Sequence, residues 1–491
     1  MGRVAEETSK GLKWGVIQKC TLQPVQFIYG IILARLISPD EMGILGLTGI
    51  FFAIAGQLQN CGFGAALIRK QDRTDEDICT VFWFNITISL VISAILFFAS
   101  PWFADFFHQP ALLNLTRVSA GLMFLGSTSS VHYTLYNARR DFKTPAIVGM
   151  ICTLVPMPFT IWAAYSGWSY WSLMVQSVIS SLLSFTIIWI ISPWKPSFKW
   201  SWQSFRDFFA FGSRLAGAGM VTTAYSELRT FIIGKFYTPA QLAYFTRGYH
   251  TCQAPMSVVQ GMLGSVTYPI LATLQDDTSR LIDVYRRYIR LSSLVVEWGM
   301  ITMAANSSSL IAALYGPNWL QAAAYCQLLC FGIMFDPLSN INSNLYNVLG
   351  RSDMTLRKEF ILRLYGIPAM IAGAFWSVAG VCVAAVSVGV LALVVSLVIT
   401  SRISSLRITQ QLSDFLPYLL MAIIANIPAY FFNQMGWHPI LAVVCGGFSS
   451  LIVYIMLLII RRDQEGAYLL NWICHTKIAT KAIYKIKQKI I

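Results

Sequence analysis

Charged residues are scarce in this sequence. Only 12% of its 491 residues are Asp, Glu, Lys or Arg, whereas soluble domains have about 25%. Hydrophobic residues instead make up 56% of the chain. A water-soluble fold would need far more charged surface, so the composition excludes one and indicates an integral membrane protein.

Residue patterns that hold a metal or cofactor are missing as well. The five histidines are scattered and form no HExxH motif. Of the ten cysteines, Cys326 and Cys330 share one helical face because they are four residues apart, but no histidine or acid accompanies them. This pattern favours core packing over a metal site. We therefore expect no cofactor and no metal.

Large extramembrane segments are absent too. A membrane glycosyltransferase or polymerase would need acids or histidines on a sizeable loop, and the short outer connections leave no room for one. We therefore expect that the protein is not an enzyme. The net charge is +14, but the sequence has no soluble segment that could form a basic surface with exposed aromatic residues. A nucleic-acid partner is therefore excluded.

Long apolar stretches are abundant. About fourteen of them can cross a hydrocarbon core as helices. Lys and Arg concentrate in alternate connections: RKQDRTDED at 69–77 and NARRDFK at 137–143 are basic, whereas SPWFADFFHQPA at 100–111 has neither. Because positive charge marks the cytoplasmic side, both termini are predicted to be cytoplasmic. One span instead of two around Gly380 would move the C-terminus to the other side, which the charge alternation opposes.

Two sequence segments recur later in the chain, at similar distances from their first copies. LARLISPDEMG at 33–43 returns as IGKFYTPAQLA at 233–243, and LYNARRD at 135–141 returns as LYNVLGRSD at 345–353. The proline of the first segment is expected to end the first helix of each copy. An offset of six spans keeps both copies in one orientation, as in parallel-repeat transporters. We therefore predict an all-α integral membrane protein with two six-helix repeat lobes plus two C-terminal helices.

The predicted organisation has five parts. In order, they are an N-terminal six-helix lobe (1–193), an interfacial cytoplasmic linker (194–207), a C-terminal six-helix lobe (208–401), two additional transmembrane helices (402–460) and a basic amphipathic cytoplasmic tail (461–491). The linker combines prolines, tryptophans and basic residues, which is typical of a membrane interface. The tail has lysines every four residues and no acid after Gly466, which is typical of a helix on an anionic lipid surface.

Several segments, taken in order, resemble a known family. ARLISPDEMGILGL, CGFGAALIRKQD, NARRDFK, YTPAQLAYFTRGY and YPILATLQDD together look like the polysaccharide transporters, or Wzx-type flippases, of the multidrug/oligosaccharidyl-lipid/polysaccharide superfamily. The resemblance covers nearly the whole chain, and length and segment order are closest to the colanic-acid-type branch.

That resemblance implies a function and a location. It implies a multi-pass protein of the bacterial inner membrane that moves undecaprenyl-diphosphate-linked oligosaccharide from the cytoplasmic to the periplasmic leaflet by alternating access. It also implies two lobes around a central cavity that binds an anionic headgroup. Lipid-linked oligosaccharide, membrane lipids and a polysaccharide polymerase are then the expected partners.

Polar side chains inside spans mark a cavity or pathway, because a charge near the bilayer centre costs several kcal/mol. Candidates to bind the diphosphate and the sugars are the intramembrane bases and amides Lys19, Gln23, Gln57, Arg117, Arg214, Arg229, Asn340 and Asn344. Candidates to couple transport to an ion gradient are the intramembrane acids Glu227, Glu297 and Asp336. Some of the bases could instead reach the membrane interface, the acids could neutralise the arginines, and the asparagines could join helices without binding a ligand.

Two related functions stay open at this point. A multidrug or cation antiporter of the same superfamily would share the fold and the repeat, but would use acids more than bases to bind cationic drugs. The excess of intramembrane Lys and Arg favours an anionic cargo instead. A flippase for a lipid-linked peptidoglycan precursor would also carry an anionic headgroup, and the sequence does not name the sugar.

Overall fold

The computed structural model describes the backbone of residues 2–60, 62–404 and 406–468, and the side chains within these ranges other than those of residues 2–13, 15–17, 19, 20, 60 and 265. Helices make up nearly all of this part of the chain, which contains no β-strand. The fold is therefore all-α, as the sequence predicts. The predicted amphipathic tail helix falls mainly on residues 469–491, which lie outside the described residues.

Nineteen α-helices follow one another in the described ranges. They are α1 (Gly2–Leu36), α2 (Pro39–Asn60), α3 (Phe63–Arg69), α4 (Asp75–Phe106), α5 (Ala111–Ala138), α6 (Lys143–Leu154), α7 (Pro156–Tyr165), α8 (Tyr170–Ile191), α9 (Trp202–Phe236), α10 (Pro239–Ala272), α11 (Thr278–Ala305), α12 (Ser307–Tyr315), α13 (Gln321–Ile333), α14 (Asp336–Val348), α15 (Ser352–Ala374), α16 (Val378–Ile403), α17 (Ile408–Ala425), α18 (Ile427–Gln434) and α19 (Pro439–Ile460). A short 3₁₀ turn, Pro317–Trp319, lies between α12 and α13.

Eight helical spans in the described residues are long and apolar enough to cross a membrane. They are Pro39–Arg69, Asp75–Phe106, Lys143–Tyr165, Tyr170–Ile191, Gln321–Val348, Val378–Ile403, Ile408–Gln434 and Pro439–Ile460. A multi-pass integral membrane protein is the class that this number of spans supports. The predicted count of about fourteen crossings and the cytoplasmic position of both termini stay predictions.

Prolines divide three of these spans into two helices. Pro156, Pro337 and Pro428 each stand in the first turn of the second helix. Proline has no N–H to donate to the preceding turn, so it interrupts one hydrogen-bond ladder while fitting the start of the next. Each break therefore lacks the one hydrogen bond that a residue with an N–H would donate at the proline position.

The repeated proline-containing segment ends a helix in both copies, as predicted. Helix α1 ends at Leu36 and α2 begins at Pro39, while α9 ends at Phe236 and α10 begins at Pro239. The two copies of this segment are also in contact, because a Cβ added to Gly43 would lie 1.8 Å from the carbonyl oxygen of Pro239. Only glycine fits at position 43 in this packing.

The chain divides into two compact units, Met1–Ala243 and Tyr244–Ile491. Unit 1 ends after α9, because α9 packs against α2, α3 and α4. The predicted repeat boundary instead puts this helix in the lobe 208–401. Compact packing and sequence repetition are different properties, so the predicted lobes, linker and additional helices stay predictions.

Glycines bring helices of unit 2 into close contact. The predicted division near Gly380 is confirmed, since α15 and α16 are separate helices joined by a short turn. A Cβ on Gly373 would lie 2.4 Å from the Gly380 carbonyl oxygen, and a Cβ on Gly389 would lie 2.5 Å from that of Gly332. Small residues allow such backbone contacts in membranes, where apolar burial between helices is a weak force.

Buried ion pairs attach the C-terminal helices to α11. Arg286 bonds to Asp414 of α17 at 2.7 Å, and Arg290 bonds to Asp414 at 3.2 Å and to Glu465 at 3.0 Å. Both carboxylates are buried. Because removing one partner of a buried pair leaves an uncompensated charge, this network fixes α17 and the segment after α19 against α11.

Gly389→Ala should lower the thermal stability of the purified protein, because the new Cβ would overlap the backbone of α13. Overpacking of this kind costs about 1–3 kcal/mol. Gly447→Ala in α19 is the matched control, since a Cβ there meets no described atom within 4 Å. Thermal unfolding in detergent measures both variants, and equal midpoints would contradict the close packing of α13 on α16.

Candidate functional site

A polar stripe runs along α14. Asp336, Asn340 and Asn344 follow one another every four residues, so they share one face of the helix. Asn340 is exposed, and the other two side chains are half-buried. Helix α14 begins at Asp336, directly before Pro337, so Asp336 lies in its first turn.

A cavity of about 190 Å³ lies beside this stripe, between α10 and α14 of unit 2. Its lining residues are Gln260, Leu263, Gly264, Pro337, Asn340, Ile341, Ser343 and Asn344. Amides and a hydroxyl thus face one small space and offer both donors and acceptors. Sugar hydroxyls and phosphate oxygens are groups that such a wall can bind.

A buried lysine lies behind the cavity wall. Lys358 of α15 is only 1% exposed, and its Nζ donates to Ser339 O at 3.1 Å, Ser339 Oγ at 2.9 Å and Ser343 Oγ at 2.5 Å. The half-exposed carboxylate of Glu359 is 3.9 Å away, at the limit of an ion pair. Because Ser343 also lines the cavity, the ammonium adds positive potential to that wall, although the carboxylates of Glu359 and Asp336 lie close enough to interact with it.

The sequence-based site missed Lys358, because it lies in a run of basic residues next to a connection. A signal was nevertheless present. Lys358, Leu362, Gly366 and Met370 recur every four residues, and all four are buried. A lysine in register with an apolar helical face is expected to point into the protein.

Asn342 lies on a different face of α14 and joins helices. Its Oδ1 accepts bonds from Tyr285 of α11 at 2.8 Å and from Thr400 of α16 at 2.6 Å. Its amide also donates to Leu338 O. The asparagines of α14 therefore divide into two sets: Asn340 and Asn344 line the cavity, and Asn342 supplies the interhelical bonds that the sequence left as an alternative.

Arg117 of α5 contacts the neighbouring helix α4. Its Nε donates to Ser100 Oγ at 3.1 Å, and its guanidinium lies 5.1 Å from the ring centre of Phe97. Phe97 is exposed on α4, whereas Ser100 is buried. These contacts hold Arg117 half-buried between two helices.

The other predicted side chains of unit 1 are spread over α1, α2 and α9. Gln23 and Arg214 are exposed, and Glu227 and Arg229 are half-buried. Gln57 packs on α9 at Gly219, where a Cβ would lie 2.0 Å from its Nε2. The side chain of Lys19 lies outside the described residues.

The predicted central chamber would draw on these residues together with those of unit 2. Such a chamber stays a prediction. Within unit 2, Asn340 and Asn344 meet at the cavity described above.

Glu297 is the most enclosed of the predicted acids. It lies on α11, is 0% exposed, and in the described part of the chain neither of its carboxylate oxygens has a hydrogen-bond partner. Helix α19 covers this region, since Trp298 donates to Ser450 and Tyr454 donates to Leu294 O, both at 3.0 Å. A charged carboxylate in such an enclosed position is costly, so Glu297 calls for a specific role.

Sequence comparison relates the chain to proteins of surface polysaccharide synthesis. Residues 32–324, more than half of the chain, match the family described as polysaccharide biosynthesis protein. The teichuronic acid biosynthesis protein TuaB of Bacillus subtilis (strain 168) is 21% identical over 370 residues, which cover 75% of this chain and 77% of TuaB. The lipopolysaccharide biosynthesis protein WzxC of Escherichia coli (strain K12) is 19% identical over 374 residues, 75% of each chain.

Structural comparison agrees with a transporter fold. The chain is similar to the lipid II flippase MurJ in an inward closed conformation, with a TM-score of 0.68 over 91% of this chain and 98% of that one. Their sequences are 13% identical, so the likeness concerns the fold alone. The fold is that of an all-α membrane transporter.

The division of the asparagines can be tested by stability. Asn342→Leu should destabilise the protein, because two buried hydroxyls lose their acceptor at a cost of about 1–3 kcal/mol each. Asn340→Leu makes the same chemical change at the cavity and should leave the thermal unfolding midpoint in detergent nearly unchanged. If Asn340→Leu destabilised as much as Asn342→Leu, Asn340 would also be a structural residue.

Proposed function

This chain belongs to the polysaccharide biosynthesis protein family, and from that premise we propose that it is a flippase for surface polysaccharide export. It moves undecaprenyl-diphosphate-linked oligosaccharide units from the cytoplasmic to the periplasmic leaflet by alternating access. The names of TuaB and WzxC support this substrate class. The chain acts as a transporter rather than an enzyme, in the bacterial inner membrane, and a polysaccharide polymerase receives its cargo.

The observation that carries an anionic, sugar-bearing cargo is the amide-lined cavity of unit 2 with Lys358 behind it. A buried ammonium is costly in a membrane protein and marks a pathway or a binding site. In this proposal Asn340 and Asn344 bind sugar hydroxyls, and the potential of Lys358 favours the diphosphate. The prenyl chain stays in the lipid.

Residues of unit 1 are further candidates to bind the headgroup. Arg229 is half-buried on α9 and Arg214 is exposed on the same helix, while Lys19 and Gln23 belong to α1. Gln57 would contribute from α2. We assign Arg117 a weaker role, because its bond to Ser100 already engages it with α4.

We further propose fourteen membrane crossings with both termini cytoplasmic. Six long helices, α1, α5, α9, α10, α11 and α15, are too polar to count among the eight apolar spans. Their polar residues are those expected to line a wet pathway. Two contacts within unit 1 support the alternation of sides, since Lys235 bonds to Phe106 O at the predicted outer end and Lys199 bonds to Asp75 at the predicted inner end.

A gradient-coupled cycle is the second part of the proposal. Glu227, Glu297 and Asp336 are the candidate coupling acids, and Glu297 is the leading one because it is enclosed and unpartnered within the described residues. The same carboxyl is the observation that favours the rival function, a multidrug or cation antiporter. A lipid-linked peptidoglycan precursor is the other cargo to compare.

Export by a deletion strain tests the cargo. The strain should lose surface polysaccharide and accumulate lipid-linked oligosaccharide, and the unmodified chain should restore export. Lys358→Met should restore less than about a tenth of it, equivalent to about 1.4 kcal/mol or more of lost cargo binding. Arg357→Met, an exposed neighbour on α15, is the control and should export normally at equal membrane level.

Three outcomes would oppose this assignment. Full export by Lys358→Met, Lys19→Ala and Arg229→Ala would remove the anionic-headgroup site. Accumulation of a peptidoglycan precursor instead of oligosaccharide would change the cargo. Normal polysaccharide export by the deletion strain, together with increased sensitivity to drugs, would favour the antiporter.

Transport in vesicles tests the coupling. Glu297→Gln should lose the response to a proton gradient, because an amide cannot bind and release a proton, while the unmodified chain should slow when the gradient is collapsed. Glu76→Gln, at an exposed acid of α4, should behave as unmodified protein. Gradient-driven transport by Glu297→Gln would exclude this acid as the coupling group.

A further inference from the structure

Helices α10 and α13 of unit 2 cross with their backbones in contact. A Cβ on Gly248 would lie 3.0 Å from both the Ala322 carbonyl oxygen and the Cys326 amide nitrogen. A larger residue at position 248 would force the helices apart. The close crossing brings side chains one turn along α10 directly against α13.

Three thiols meet at this crossing. Cys252 Sγ on α10 is 3.4 Å from Cys326 Sγ and 3.4 Å from Cys330 Sγ on α13, and all three sulfurs lie within 4.8 Å of one another. Each cysteine is 0% exposed. Sequence spacing alone offered only Cys326 and Cys330, and the third thiol comes from a residue 74 positions earlier.

This arrangement approaches the geometry of a three-coordinate thiolate centre. A trigonal ion with metal–sulfur bonds of about 2.3 Å holds its sulfurs about 4.0 Å apart. The Cys252 sulfur would therefore need to move only about half an ångström further from each of the other two sulfurs, which side-chain rotation can supply. Structural zinc sites are four-coordinate, and among the described residues the cluster has no fourth histidine, cysteine or acid. Three soft ligands without a fourth favour Cu(I).

Tyr315 links the turn of α10 that carries Cys252 to a basic side chain. Arg247, on the preceding turns of α10, has its guanidinium 5.8 Å from the ring centres of both Tyr315 and Trp319. Tyr315 also shares a 3.0 Å hydrogen bond with Thr251, the neighbour of Cys252. Tyr315 thus fastens the turn of α10 that carries Cys252.

We propose that Cys252, Cys326 and Cys330 form a binding site for a soft monovalent d¹⁰ cation, Cu(I), that clamps α10 to α13. Each copper–sulfur bond that forms replaces one S–H bond and releases one proton, and the copper stays in the +1 state. The site lies apart from the cavity beside α14 and does not depend on the proposed transport function.

Cu(I) binding by the full-length protein in detergent tests the site. Under anaerobic reducing conditions, the protein should remove about one equivalent of Cu(I) from its complex with bathocuproine disulfonate. X-ray absorption should then show about three sulfur atoms at roughly 2.3 Å from the copper. The thermal unfolding midpoint should rise with copper. Cys252→Ala and Cys326→Ala should each reduce uptake at least about tenfold.

Cys382→Ala is the matched control, because Cys382 is an equally buried cysteine on α16 outside the cluster. It should bind copper as the unmodified protein does. Size-exclusion profiles and unfolding midpoints without copper separate loss of the site from loss of the fold. No uptake by folded protein, uptake that survives the triple Cys→Ala variant, a preference for Zn²⁺, or a disulfide that persists under the reducing conditions would each overturn the proposal.

Discussion

The cost of an unpartnered polar group in a non-aqueous interior shapes this molecule more than any other constraint. Backbone groups meet it by forming helices, so the described chain is helical almost throughout. Side chains meet it by finding partners across helices: Asn342 accepts from two hydroxyls, and Arg290 bonds to two carboxylates. Where the partners are sparse, as at Glu297, or the charge is buried, as at Lys358, the exception is costly and calls for a functional reason.

Close helix packing supplies the second half of the architecture. In lipid, apolar burial gives little force between helices, so contacts depend on shape. Gly389 lets α13 and α16 touch through their backbones, and Gly248 does the same for α10 and α13. Gly43 plays this part in unit 1, where it meets Pro239. The meeting of the three thiols follows from the crossing at Gly248, because a close backbone contact brings the side chains beside it together.

The polar groups of unit 2 have separate tasks because they occupy different faces of α14. Residues 340 and 344 line a cavity, residue 342 fastens α14 to its neighbours, and Ser343 connects the cavity wall to Lys358. A wall whose supports are bonded from behind can present its amides in fixed directions. This preorganisation suits recognition of hydroxyls and phosphate oxygens, which require directed donors and acceptors.

The sequence by itself determined the features that depend on local pattern. Apolar runs define the helices, the prolines at 39 and 239 define where α2 and α10 begin, and the four-residue spacing puts Asn340 and Asn344 on one face. Only the tertiary structure decided which faces meet. It brought Cys252 to two thiols of α13 and buried Lys358, which lies in a run of basic residues in the sequence. Periodicity reveals which side of a helix a residue occupies, but the partner of that side is set by packing between segments distant in the chain.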